Sequence, residues 1–117
     1  MNTLSQLFGA GAPAEIDALA ARSRLAEPSK PLLLDVREPY EFEAGHIAGA
    51  TLIPLGSLPG RLSELPKDRE ILVVCRSGAR SMTATRHLLS AGFKAVNLRG
   101  GMLAWAQASL PVALGTK

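Results

Sequence analysis

Ile71-Leu72-Val73-Val74-Cys75-Arg76-Ser77-Gly78-Ala79-Arg80-Ser81 is the stretch on which the reading of this chain turns. Its first four residues are apolar, largely β-branched, and show no alternation with polar residues. Runs of that kind suit strands covered on both faces, as in the middle of a parallel sheet. After Cys75 the composition becomes small, cationic and hydroxylic. From Met82 to Ala91 it turns helical, stopping at Gly92. The stretch therefore reads as a buried strand, a tight loop and a helix.

The same alternation continues outward in both directions. Leu32-Leu33-Leu34-Asp35-Val36 is a second continuous strand run. Glu38 to Glu43 is a short helix begun at Pro39 and stopped by Gly45. Ala50 to Ile53 is a weak strand ended by Pro54, and Leu58 to Leu65 a short helix closed by Pro66. Ala95 to Leu98 is a further strand, Gly100-Gly101 a turn, and Met102 to Ala108 a last helix before Pro111. At the front, Ile16, Leu19, Ala20 and Leu25 suggest one apolar stripe of a helix over Pro13 to Ala26, with Pro13 in its first turn. Met1 to Ala12 reads as a loose tail ahead of one domain over residues 13–117. Strands alternating with helices predict an α/β fold with a mostly parallel sheet and right-handed crossovers. Ligands of such folds bind beyond the carboxyl ends of the strands. Cys75 stands at that end of the strongest strand.

Composition narrows the chemistry. With 47% hydrophobic residues but only 4% aromatic, the core must be built from Leu, Val, Ile and Ala. The single cysteine excludes an internal disulfide and a thiolate-rich metal site within one chain. A net charge of +3, without any basic run, points away from nucleic acid and mildly towards small anions. The first residues lack the pattern of a signal peptide, and no apolar run approaches the ~20 residues of a membrane span. A soluble, cytoplasmic chain is the expectation.

Within the loop, Gly78 and the small residues around it let the backbone curl so that successive N–H groups converge. The following helix start adds unpaired N–H groups and the positive end of its dipole. A thiolate at Cys75 would face those donors, and donors and cations of this kind favour the thiolate, which is the attacking form. Taken singly, each residue has a plain structural use: a lone cysteine as packing, Arg76 and Arg80 as surface charges, Ser77 and Ser81 as helix caps. Their concentration in one loop at the ligand end of a central strand favours chemistry.

Cys75-Arg76-Ser77-Gly78-Ala79-Arg80-Ser81 resembles the active-site loop of rhodanese-like domains. The segment Asp35-Val36-Arg37-Glu38-Pro39-Tyr40-Glu41-Phe42-Glu43-Ala44-Gly45-His46-Ile47-Ala48-Gly49-Ala50 is similar to the first signature of that family, and Leu98-Arg99-Gly100-Gly101-Met102-Leu103-Ala104-Trp105 to its closing one. The resemblance spans residues 32–111. It implies a three-layer α/β/α sandwich with a central sheet of about five strands. It also implies a thiosulfate sulfurtransferase in which Cys75 takes the outer sulfur of an anionic donor as a persulfide and yields it to cyanide or a thiol. Arg76, Ser77, Gly78, Ala79, Arg80 and Ser81 would bind the substrate, with no metal or organic cofactor. Cys75 through Arg80 is six residues; related cell-cycle phosphatases and arsenate reductases have a loop one residue longer, which favours sulfur over a tetrahedral oxyanion. One departure stands out: Ala48 occupies a position where the family commonly has Pro.

The same resemblance gives Asp35 and Arg37 a structural role beside the site, and Gly100 and Gly101 a tight turn near the loop. His46 is read as a turn or packing residue, since a preformed thiolate needs no general base. His87 is read as surface and Trp105 as a core anchor. Alternative readings on the same fold are a phosphatase or arsenate reductase, a non-catalytic binding module, and a persulfide carrier serving a protein acceptor. A monomer or weak homodimer is expected.

Overall fold

Five parallel strands in the order β1-β5-β4-β2-β3 form the sheet of the computed structural model, which describes residues 14–116. They are β1 (Glu15–Ile16), β2 (Leu32–Asp35), β3 (Thr51–Leu52), β4 (Ile71–Val74) and β5 (Ala95–Leu98). The helices are α1 (Ala18–Leu25), α2 (Pro39–Ala44), α3 (Ala79–Ser90) and α4 (Gly101–Gln107), with a 3-10 segment over Leu55–Glu64. β4 is the central strand. It pairs with β2 from Leu32↔Ile71 to Asp35↔Val74, and with β5 from Ile71↔Ala95 to Val73↔Asn97. All four of its residues are buried, as an unbroken apolar run requires.

The strand periodicity of two divides these residues between two cores. Leu34, Ile71, Val73 and Ala95 face one side and pack with Leu58, Ala84 and Leu88, so the 3-10 segment and α3 cover that face. Leu33, Leu72, Val74, Val96 and Leu98 face the other and pack with Ala18, Ala21 and Trp105 of α1 and α4. The result is the three-layer α/β/α sandwich. Trp105 is buried in its layer and donates its Nε1–H to the Pro111 carbonyl at 2.8 Å.

The amino-terminal segment departs from the expected Pro13–Ala26 helix. Glu15 and Ile16 form β1, paired with Asn97 and Leu98 on the edge of the sheet. The helix begins only at Ala18, where Asp17 caps it by accepting the Ala20 N–H at 2.8 Å. Leu19, read as part of the apolar stripe, is 64% exposed, and the small Ala18 and Ala21 make the buried face instead. The expected helix over Leu58 to Leu65 is a 3-10 segment that starts earlier, contains Pro59 and breaks at Arg61. Pro59 lacks the N–H a regular helix would use there. The helix expected from Met82 starts at Ala79, directly after the cysteine loop. Residues 1–12, read as a tail, lie outside the described residues, as does Pro13.

Leaving β2 the chain turns towards β3, and leaving β4 it turns towards β5 on the other side. The loops after β2 and β4 therefore diverge, and the crevice between them is where open α/β sheets bind ligands. No helix among the described residues is long and apolar enough to cross a membrane.

Candidate active site

Val74 ends β4 with its carbonyl accepting the Val36 N–H at 3.0 Å, and Cys75 follows with 1% of its surface exposed. Its Sγ receives two hydrogen bonds: Gly78 N–H at 3.1 Å and Ser81 Oγ–H at 3.2 Å. Both donors come from the start of α3. Gly78 reaches its position with φ +104°, a conformation that side chains disfavour. A Cβ there would also come within 3.2 Å of the Gly100 nitrogen, so the loop lies directly against the turn before α4.

That turn orients the loop. Met102 N–H donates to the Cys75 carbonyl at 2.8 Å and Leu103 N–H to the Arg76 carbonyl at 3.0 Å. These amides belong to the first turn of α4 and have no partner within the helix. Since C=O and N–H are antiparallel across a trans peptide, the N–H groups of Arg76 and Ser77 turn away from α4. Asn97 of β5 holds the far side of the loop, donating Nδ2–H to the Gly78 carbonyl at 3.3 Å and to Glu15 Oε2 at 2.9 Å. One donor of the pair at Sγ is replaceable without disturbing this frame. We expect Ser81→Ala to slow alkylation of Cys75 by iodoacetamide near neutral pH about fivefold, the equivalent of a hydrogen bond worth about 1 kcal/mol. Stopped-flow or mass-spectrometric alkylation kinetics check it.

Asp35, the last residue of β2, and Arg37, two residues further on, form a buried, two-pronged ion pair. Arg37 Nε and Nη2 reach the two Asp35 oxygens at 3.0 and 2.8 Å, and the Arg37 backbone N–H adds a third bond at 3.0 Å. Arg37 Nη2 also donates to the Gly45 carbonyl at 2.8 Å, which pins the far end of α2. Neither residue is hydrogen-bonded to Cys75 Sγ, whose partners among the described residues are Gly78 and Ser81.

Arg80, expected to bind the substrate, is engaged by a carboxylate. Its guanidinium pairs in fork geometry with Glu41 of α2, Nη1–Oε1 and Nη2–Oε2 both at 2.8 Å. Glu41 Oε1 also accepts the Glu38 N–H at 3.0 Å. The Arg80 hydrogen bonds, helped by that amide, hold the Glu41 carboxyl down at about 2, although its partial burial pulls the other way. Arg80 is pushed upward in turn, by Glu41 first and more weakly by the field of Cys75. Arg76 is exposed and makes no ion pair among the described residues. Ser77 and Ala79 are exposed on the loop's outer side. Beside the loop opens a cleft of about 310 Å³, lined by Arg37, Tyr40, Glu41, Ala44, Arg76, Met102 and Leu103.

Two site residues were not singled out by their sequence setting. Glu41 lies 39 residues from Arg80, and Asn97 lies 19 from Gly78, so only the folded sheet brings each pair together. Glu41 lies inside residues 35–50, the segment similar to the family's first signature, and that is the signal for it in the sequence. His46 is fully buried, stacked on Phe42 at 3.7 Å, with Nδ1 2.8 Å from the Phe42 carbonyl. A carbonyl only accepts, so that nitrogen carries the proton. The His46 backbone pairs with Ala113 in both directions, and His87 is exposed on the last turn of α3.

The fold and loop define an α/β protein with a cysteine held at the carboxyl end of a central parallel strand. Residues 17–108 match the family model described as rhodanese-like domain, and the chain belongs to that family. It is 44% identical over 99 residues to a sulfurtransferase of Allochromatium vinosum, covering 84% of this chain and 92% of that protein. It is 41% identical over 91 residues to a putative sulfurtransferase of Bacillus subtilis, covering 78% and 88%. Among solved structures, a rhodanese-related protein from Thermoplasma volcanium superposes with a TM-score of 0.81 at 32% identity, covering 86% of this chain and 98% of that one.

Proposed function

We propose that the protein is a sulfurtransferase that carries a sulfane sulfur as a persulfide on Cys75. The observation that carries this reading is the pair of donors at Cys75 Sγ, one backbone and one hydroxyl, on a thiol at the ligand end of the sheet. Such donors favour the thiolate and would hold the negative terminal sulfur of a persulfide, as an oxyanion hole holds an oxygen. In the first step the Cys75 thiolate attacks the outer sulfur of thiosulfate. The S–S bond to the sulfonate breaks, sulfite leaves with the bonding pair, and Cys75 keeps the outer sulfur as an anionic persulfide. In the second step cyanide or a thiolate attacks that sulfur, and the Cys75 thiolate is the leaving group. No general base is required once Cys75 is the thiolate, the form that the two donors at Sγ favour.

The sulfurtransferase names of the relatives support the transfer class, and the six-residue loop supports sulfur over phosphate or arsenate. A carrier role towards a protein thiol uses the same first step and differs only in the acceptor. Incubation with thiosulfate followed by intact mass measurement tests the proposal. We expect a gain of one sulfur atom, its removal by cyanide with release of thiocyanate, and a fall of at least about a thousandfold in turnover with Cys75→Ser. No sulfur gain from any donor, with hydrolysis of a phosphate ester instead, would overturn it.

A further inference from the structure

We propose that Glu41 makes the mouth of the cysteine loop a site with one free cation among the described residues, and that the cleft thereby selects a monoanionic sulfane-sulfur donor bearing an apolar substituent over inorganic thiosulfate. The charge balance of the cleft carries the first half. Three arginines lie at the loop or line the cleft. Arg37 is spent on Asp35 and Arg80 on Glu41, each through paired bonds with close contacts of 2.8 Å. The Glu41–Arg80 pair is held in a fork that costs each partner its freedom to turn towards a ligand. Arg76 is the one left exposed and without an ion pair among the described residues. The net charge offered to a donor is therefore close to one, set by the carboxylate on α2 and not by the loop alone.

The walls carry the second half. Tyr40 is 74% exposed and Leu103 45% exposed, both on the cleft, which Met102 and Ala44 also line. A small inorganic dianion leaves this apolar surface in water and meets one cation with two charges. An organic thiosulfonate or hydropersulfide matches one charge and covers the apolar wall, gaining from area removed from water. With a thiosulfonate the Cys75 thiolate takes the terminal sulfur, the S–S bond breaks, and a sulfinate leaves with the electron pair. Total charge is conserved at two negative units.

The first half is read without any sulfur transfer. Cys75 is alkylated with iodoacetate, which is anionic, and with iodoacetamide, which is neutral, and the ratio of the two rates is compared between variants. Freeing Arg80 with Glu41→Gln should raise that ratio about three- to tenfold at low ionic strength, and salt should erase the gain. Arg76→Gln, a change on the surface, should lower the ratio by a similar factor. A ratio that falls or stays level in Glu41→Gln overturns the charge assignment. So does a ratio indifferent to Arg76→Gln, which decides the matter even if the Glu41 variant folds poorly.

The donor preference rests on the sulfur-transfer reading and has its own test. We expect Glu41→Gln to raise kcat/KM for thiosulfate relative to benzenethiosulfonate about three- to tenfold, chiefly through KM. Leu103→Ala should lower kcat/KM for benzenethiosulfonate relative to methanethiosulfonate about threefold. Unchanged donor ratios in both variants overturn the preference. If no donor turns over at all, the transfer reading fails, while the alkylation ratios still decide the role of Glu41.

Discussion

Gly101→Ala is expected to lower the melting temperature by more than about 10 °C and to cut the reactivity of Cys75 at least tenfold in whatever protein remains folded. The backbone at Gly101 has φ +56°, and a Cβ there would lie 2.4 Å from the Cys75 carbonyl oxygen and 2.6 Å from that of Arg76. Those atoms are backbone and cannot swing aside. They are also the two carbonyls that the first turn of α4 captures through Met102 and Leu103. The methyl group can be admitted only by pushing the cysteine loop and α4 apart, which breaks both bonds and turns the loop's donors off Sγ. Overpacking of this kind costs about 1–3 kcal/mol, to which the lost hydrogen bonds add. In a domain of about 100 residues each kcal/mol shifts the melting temperature about 4–8 °C. Gly60→Ala is the control, since a Cβ at Gly60 meets nothing within 4 Å and should leave both readouts unchanged. Calorimetry and alkylation kinetics on the two variants check the prediction.

The second large effect is expected from Asp35→Asn. Asp35 is fully buried and Arg37 nearly so, and their charges satisfy each other. Neutralising one leaves a guanidinium without its counter-charge in the interior, a loss of about 3–5 kcal/mol. The double change Asp35→Leu/Arg37→Met should recover much of that loss, because it removes the stranded charge together with the broken pair. Urea denaturation midpoints on the single and double variants test this, and a single variant within about 1 kcal/mol of the parent would contradict it. The damage should also reach the site: Arg37 holds the Gly45 carbonyl at the end of α2, and α2 carries the Glu41 that grips Arg80.

The sequence is most legible where one physical requirement dominates. β2, β4 and β5 announce themselves because strands buried on both faces must be apolar without interruption, and the ends of β5 agree to the residue. β1 is hidden because two residues carry no periodicity; Glu15 and Ile16 become a strand only by meeting Asn97 and Leu98, 82 residues further on. The start of α1 is obscured for a related reason. Ile16 and Leu19 have the spacing of a buried stripe, but the face towards α4 is made by alanines, whose small side chains carry little hydrophobic signal. The loop itself was legible as a unit, since strand, cysteine, glycine and helix start are contiguous. Its charge state was not, because Arg80 is defined by a carboxylate brought in from α2.

The sheet separates the only cysteine from the only tryptophan: Cys75 packs in the layer with α3, Trp105 in the layer with α1 and α4. Each layer thus contains a native reporter with a signal of its own, thiol protection on one face and indole emission on the other. Unfolding followed by both at once shows whether the two faces let go together, as one cooperative transition demands, or whether the reactive face can open while its opposite stays closed.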